Sequence, residues 1–445
     1  MKLICKKVVA FFLLLICSIS SFAQKPNFDK LDEFLNILSD NDKLMGSMEI
    51  TKNNDEIYFS SVGYLDASQE IINDSNTKFR IGSITKTFTA TMIFQLIDEN
   101  KLKLDTPLAQ YFPDVPNAAE IKVSNLLNHS SGLFNVTQDQ DFLNWMKNPS
   151  SQKEMVSRIS SHTSDFEPGT KTEYSNTNYI LLGYIIEILD ERSYAASLQK
   201  RIVDKINLKD TFFGRPIDIK NNESRGYYKE DELWKATEET DMSNPGGAGA
   251  IVSTPSDLNK FMNALFNGDL MTASSFRIMK SSNNDPDICH GLFHANVEGA
   301  EIYASEGSID GFQSMLLYVP KDKTSIALTA NALDYSKMRI ILASLGASNG
   351  KRIILPNFEK ISLTGEQLQT YEGTYASENA PFKLFFKVEG NTLLGSQDNI
   401  NFKELTPTKQ HQFTLDALGV ILDFYPESGV LKFNKGDQPV IFKRL

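Results

Sequence analysis

Phe79-Arg80-Ile81-Gly82-Ser83-Ile84-Thr85-Lys86-Thr87-Phe88-Thr89-Ala90 is the stretch on which the reading of this chain turns. From Ser83 to about Asn100, the apolar residues Ile84, Phe88, Met92, Leu96 and Ile97 recur at helical spacing. Thr85, Thr87, Thr89 and Thr91 are weak helix formers, so tertiary packing has to hold this helix, which predicts a central, buried position. Residues three apart on a helix share a face, and Ser83 and Lys86 therefore project together. A serine hydroxyl is a poor nucleophile until a base takes its proton. A lysine withdrawn from water is less costly to keep neutral and becomes such a base. The S-x-x-K spacing recurs at Ser75/Lys78, Ser150/Lys153, Ser197/Lys200 and Ser348/Lys351, but only Ser83 has a glycine before it and a strongly apolar helix after it.

Outward from this stretch, the N-terminal side predicts a hairpin: a strand from Met48 to Thr51, a turn through Lys52–Asp55, and a strand from Glu56 to Val62. On the C-terminal side, helices and loops alternate to about residue 270. They include Asn178 to Leu189 and Asp257 to Phe266, the latter with Ser253, Thr254 or Ser256 as N-cap and Pro255 near its start. Strands follow at Ile302–Ala304, Phe312–Val319 and Thr324–Thr329, joined by the turn-rich Ser308–Gly311 and Pro320–Lys323, before a closing helix from Ser336 to Leu345. Strands from the two ends can pair into one antiparallel sheet covered by helices, an α+β fold with an all-helical lobe. After Gly346–Gly350 the pattern changes to short alternating strands at near-regular spacing. They lie at 373–375, 382–388, 392–394, 402–405, 412–414, 421–425 and 430–433, and suggest a small β-barrel or sandwich. The expected organisation is a leader at 1–23, an α+β domain at 24–347, a linker at 348–362 and a β-rich domain at 363–445.

Tyr174-Ser175-Asn176 is the only Y-x-N in the chain. It follows the turn signature Phe166-Glu167-Pro168-Gly169 and precedes a helical run. A phenol beside a lysine can shuttle a proton between nucleophile and leaving group. The Asn176 amide can hold the lysine or a substrate carbonyl. The plainer reading is a loop tyrosine and a helix-capping asparagine.

Taken together, these residues resemble the serine β-lactamase-related family: class C β-lactamases, D-Ala-D-Ala carboxypeptidases, D-aminopeptidases and family VIII esterases. Residues 79–90 look like the family's nucleophile segment. Leu126-Leu127-Asn128-His129-Ser130-Ser131-Gly132-Leu133 is similar to its L-L-x-H-T-S-G-L segment, Gly246 to Leu258 to its G-G-x-x-S-T-x-x-D-L segment, and Tyr174-Ser175-Asn176 to its Y-x-N. The resemblance spans roughly residues 30–345. It implies an acyl-enzyme hydrolase of amides or esters, with Ser83, Lys86 and Tyr174 catalytic and the site between a helical lobe and an α/β lobe. The third family motif, H-x-G or K-T-G, is matched by Ser305-Glu306-Gly307, a departure that removes the cationic anchor for a substrate carboxylate. The backbone N–H groups of Ser83 and Ser308 can still form an oxyanion hole, because main-chain donors need no particular side chain. Asn176, Ser305 and Gly307 complete the expected substrate-binding set. Glu306 would repel a carboxylate and suits an ammonium. The tail resembles lipocalin-like β-domains appended to some of these hydrolases.

The first residues set the compartment. Lys2, Lys6 and Lys7, the apolar run Val8–Ile19 and the small-x-small Ser21-Phe22-Ala23 have the layout of a secretory signal peptide, which predicts a periplasmic or extracellular protein. Cys5 and Cys17 would leave with it, so Cys289 is expected to be a buried small hydrophobe with no disulfide. The net charge of −11, or −14 without those three lysines, opposes binding to nucleic acid and anionic membranes. No later segment has the length of a membrane span. His290 and His294 stand at i, i+4, but on a stretch that reads as strand and with no third ligand nearby, so no metal is expected. No cofactor loop is present, since Gly246-Gly247-Ala248-Gly249 lacks a following lysine. The expected partner is a small-molecule or peptide substrate, peptidoglycan-derived peptides included; nothing fixes the oligomeric state. A catalytically inactive binding module on the same fold is the alternative, motivated by Ser305.

Overall fold

The computed structural model describes residues 26–282, 285–297, 299–415, 420–434 and 439–445. The proposed leader lies outside the described residues. Helix α1 (Phe28–Asp40) leads into the hairpin β1 (Leu44–Lys52) and β2 (Asp55–Val62). Helix α2 (Thr85–Asp98) carries the S-x-x-K stretch, preceded by a 3₁₀ turn at Gly82–Ile84. Helices α3 (Asn176–Asp190) and α4 (Pro255–Asn267) follow, then strands β3 (Phe293–Val297), β4 (Ala300–Ile309), β5 (Phe312–Val319) and β6 (Thr324–Leu333), and helix α5 (Lys337–Ser348).

The sheet order is β3-β4-β5-β6-β1-β2, antiparallel throughout. The chain's first and later strands meet where β1 lies beside β6, with Ser47 opposite Thr329 and Ile50 opposite Ile326. Alternate residues of a strand face opposite sides. Met48, Ile50, Leu317, Ile326 and Leu328 accordingly pack under α1 and α5, while Leu316 and Ala327 join the core of the helical lobe. A one-residue slip would exchange the two sets, so the pattern pins the register.

Helix α2 is central. Every residue from Thr85 to Leu96 is buried, and the stacked rings of Phe88 and Phe261, 3.7 Å apart, join it to α4. Two of the threonines that weaken its propensity, Thr85 and Thr89, bond outward. Thr85 Oγ1 accepts from Ile251 N, and Thr89 Oγ1 lies 2.6 Å from the Gly247 carbonyl. The Thr254 hydroxyl accepts from Asp257 N, fixing the start of α4 among the three expected caps.

The tail is a closed barrel of eight antiparallel strands, β7 to β14: Gly373–Ala376, Leu384–Glu389, Thr392–Ser396, Lys403–Lys409, Gln412–Leu415, Val420–Tyr425, Val430–Asn434 and Val440–Arg444. Seven are legible as separate alternating runs. The eighth, Val440–Arg444, closes the barrel by pairing with β7, Tyr375 opposite Arg444. Tyr371, Tyr375, Phe386, Phe413, Phe424 and Phe442 fill its interior. One local expectation is corrected. Cys289 and His290 precede β3 rather than lying on a strand, in a turn where Cys289 makes a single bridge to Ser282.

Candidate active site

The nucleophile segment is bent into place by glycine. At Gly82 φ is +51°, and a Cβ there would come within 2.8 Å of Ser308 N. Ser83 therefore sits in the 3₁₀ turn that opens α2, with its N–H at the positive end of the helix. Strand β3 pairs with β4 only as far as Ala304, so the outer edge of β4 from Ser305 to Ile309 is left to face this turn. Contact is close because residue 307 is glycine. A Cβ on Gly307 would meet the Ile81 carbonyl at 2.0 Å and Ser83 N at 2.8 Å. The main-chain nitrogens of Ser83 and Ser308 are thereby brought to the same place. The turn after β4 is locked by a buried ion pair, Arg80 to Asp310 at 2.5 Å, with Asp310 also accepting from Thr240 N and Oγ1.

Lys86 Nζ stands 2.9 Å from Ser83 Oγ and donates to Asn176 Oδ1 and to the Ala248 carbonyl, both at 2.8 Å. Burial holds its amine well below the ordinary lysine value. Its partners are dipoles rather than carboxylates, so little offsets that desolvation. Gly247 makes the third bond possible. A Cβ there would strike the Tyr179 carbonyl at 2.6 Å and push the Gly246–Ala248 turn off α3. Asn176 is held in turn by Thr137 Oγ1, 3.1 Å from its Nδ2.

Tyr174 covers the lysine, its ring centroid 4.9 Å from Nζ. Burial raises its phenol to about 12, the Ser83 hydroxyl beside it lowering the value and Glu306 adding to the rise. Tyr174 is therefore protonated at ordinary pH, and Lys86 is the basic group nearest Ser83 Oγ among the described residues. The His129 ring lies tilted against that of Tyr174, their centroids 4.5 Å apart. Burial and the nearby lysine lower its pKa to about 3, and Nδ1 accepts from Ser175 N. It is a neutral support for the tyrosine loop.

Ser305 is buried, its hydroxyl 3.0 Å from Thr87 Oγ1 on α2. Glu306 is half exposed and pairs with Lys337 Nζ at 3.5 Å. The His290 ring bonds to the Ser281 carbonyl and that of His294 to Glu301, and Cys289 is buried. Among the described residues, no group of three or more His, Cys, Asp or Glu side chains is placed to hold a metal ion. No described helix is long and apolar enough to cross a membrane. Sequence reasoning missed the Ala248 carbonyl, Thr137 and the wall at Phe142–Met146. The first acts through main chain, and the other two lie outside any motif.

A serine hydroxyl facing a desolvated lysine, where glycines bring the Ser83 and Ser308 main-chain nitrogens close together at the junction of a helical lobe and an antiparallel sheet, defines the class: the protein is a serine hydrolase. The chain belongs to the Beta-lactamase family, whose model matches residues 41–348. Teichoic acid D-alanine hydrolase of Staphylococcus aureus is 27% identical over 240 residues, 54% of this chain and 58% of that protein, so the match spans little more than half of the relative. The D-amino acid amidase of Ochrobactrum anthropi SV3, solved with D-phenylalanine, is 29% identical with a TM-score of 0.61 over 68% of this chain and 92% of that one. The octameric penicillin-binding protein homologue of Pyrococcus abyssi shares the fold over 94% of this chain and 100% of its own, at 21% identity and TM-score 0.67. Relatives of this kind do not favour an inactive binding module.

Proposed function

We propose that this protein is an exported serine hydrolase that cleaves an amide or ester through an acyl-enzyme on Ser83. The observation that carries the reading is the 2.9 Å separation of Lys86 Nζ and Ser83 Oγ, with the lysine desolvated. Neutral Lys86 takes the Ser83 proton as Oγ attacks the carbonyl. The N–H groups of Ser83 and Ser308 receive the oxyanion, a contribution of roughly 10²–10³ in rate per donor. Tyr174 protonates the leaving group and is reprotonated through Lys86. Water then attacks the acyl-enzyme by the same route and frees Ser83.

Relatives named as a D-amino acid amidase and a teichoic acid D-alanine hydrolase support a D-aminoacyl amide or ester as substrate. Glu306 lies beside Tyr174 but is paired with Lys337 Nζ, so its charge does not decide between an ammonium and a carboxylate on the substrate. Export is supported by the basic, apolar and small-residue succession of residues 1–23.

Labelling by a fluorophosphonate or fluorescent penicillin, compared between wild type and Ser83→Ala, tests the nucleophile; equal labelling refutes it. Turnover of D-alanine amide, acetyl-D-Ala-D-Ala and p-nitrophenyl acetate separates the substrate classes. The N-terminal sequence of protein recovered from the cell envelope or medium tests export.

A further inference from the structure

Two cavities meet at Ser83, and among the described residues it is the only one that lines both. They differ greatly in size and character. One is a cleft of about 700 Å³ walled by Phe142, Leu143, Trp145, Met146, Ile180 and Tyr228, which also holds Asn176 and Ser308. The other is a slot of about 20 Å³ that holds Lys86 and Tyr174 and is lined by Leu292, Phe293 and Glu306. The slot has room for about one water molecule.

If Tyr174 is the group that protonates the departing atom, the leaving group emerges on the slot side. The acyl group then projects from the oxyanion hole into the large cleft. The cleft's outer wall is preformed. The Met146 carbonyl accepts from Asp241 N at 2.9 Å and from Asn244 Nδ2 at 2.8 Å, Ser150 N donates to Ser243 Oγ, and Lys147 pairs with Glu238. Phe142 packs edge-on against Trp145 at 5.0 Å, which braces the aromatic wall. Leu143 is 68% exposed and Tyr228 46% exposed at the rim, apolar surface that a bound acyl group would cover.

We infer that the enzyme selects substrates with a bulky apolar acyl group and a small leaving group, with Leu143 and Tyr228 as specificity-determining residues. The inference rests on the Ser83 acyl-enzyme reading. It deepens that reading by dividing the two chemistries named for the relatives. The amide of an apolar amino acid, which releases ammonia, fits the two cavities; a small acyl group on a bulky leaving group does not.

The isomeric esters methyl 3-phenylpropanoate and 2-phenylethyl acetate place the same phenyl group on opposite sides of the scissile bond. The expected result is a kcat/KM at least roughly tenfold higher for the methyl ester, since one misplaced methylene already costs about tenfold or more in an apolar pocket. Leu143→Asp, at an exposed position that tolerates the change, is expected to shrink that ratio several-fold. An equal rate for the isomers, or a preference for the acetate, overturns the inference and leaves the Ser83 mechanism standing. Undiminished turnover of both by Ser83→Ala refutes the mechanism instead. Boronic acids add reversibly to a serine Oγ and set their carbon substituent on the acyl side, so they test the cleft without turnover. 2-Phenylethylboronic acid should protect Ser83 from fluorophosphonate at a concentration at least roughly tenfold below methylboronic acid. Equal potency overturns the inference.

Discussion

Lys86 Nζ lies 2.9 Å from Ser83 Oγ while its two other bonds go to uncharged oxygens, Asn176 Oδ1 and the Ala248 carbonyl. The distance joins base to nucleophile, and the uncharged partners leave the burial of the amine uncompensated, which lowers its pKa. A guanidinium cannot serve here, because it does not lose its proton in this pH range. Lys86→Arg should lower kcat by about 10²–10⁴, measured on any ester the wild type turns over.

Titration of the same amine should appear in stability. Folding depresses its pKa below the ordinary 10.5, so between the folded value and 10.5 the unfolded chain binds the proton that the folded chain lacks. Stability contributed at this position therefore rises with pH across that window and is lowest below it. The Tm of wild type relative to Lys86→Met should climb as pH is raised toward 10; a pH-independent difference would contradict the assignment.

Asn176→Asp would place a carboxylate about where the Oδ1 dipole now sits, 2.8 Å from Nζ. An adjacent negative charge favours the ammonium form and raises the lysine pKa. The acid limb of the kcat/KM profile should move to higher pH by one unit or more, on the order of the shift an ion pair produces. A profile that stays in place would show that another group sets the limb.

Gly307→Ala puts a methyl group 2.0 Å from the Ile81 carbonyl and 2.8 Å from Ser83 N. The nucleophile turn and β4 must then separate, and the two oxyanion donors with them. A loss of about 10²–10³ in kcat is expected, read beside a circular dichroism melt that reports whether the fold persists.

The Arg80–Asp310 pair is almost fully buried, with side chains 2% and 3% exposed. Asp310→Ala leaves a buried guanidinium with Glu239 as its one remaining carboxylate and should cost about 3–5 kcal/mol in urea unfolding. Arg80→Met with Asp310→Leu should recover a large part of that loss, because matched apolar groups carry no desolvation penalty.

Much of this was legible along the chain because the signals are local. The S-x-x-K spacing, the apolar stripe of α2, the Pro255 start of α4 and the apolar run of β5 concern residues within a turn or a strand of one another. The eighth barrel strand was not legible, because Val440-Ile441-Phe442 does not alternate and runs straight into Lys443-Arg444; its pairing with β7 is what closes the ring. Cys289 and His290 were misread as strand because a short apolar run has the same composition in a buried turn.

By itself, the sequence determined that residue 83 is a serine at the head of a buried helix, that residue 86 lies on the same face, and that two sets of strands flank a helical middle. Those outcomes depend on backbone geometry and side-chain period, which act over a few residues. Tertiary structure alone decided that Ala248 offers its carbonyl to Lys86, that Gly307 lets β4 reach Ser83, and that a wide apolar cleft opens on one side of the serine and a narrow slot on the other. Desolvation, steric closeness and cavity shape are properties of groups far apart in the chain, and they come into being only when packing brings those groups together.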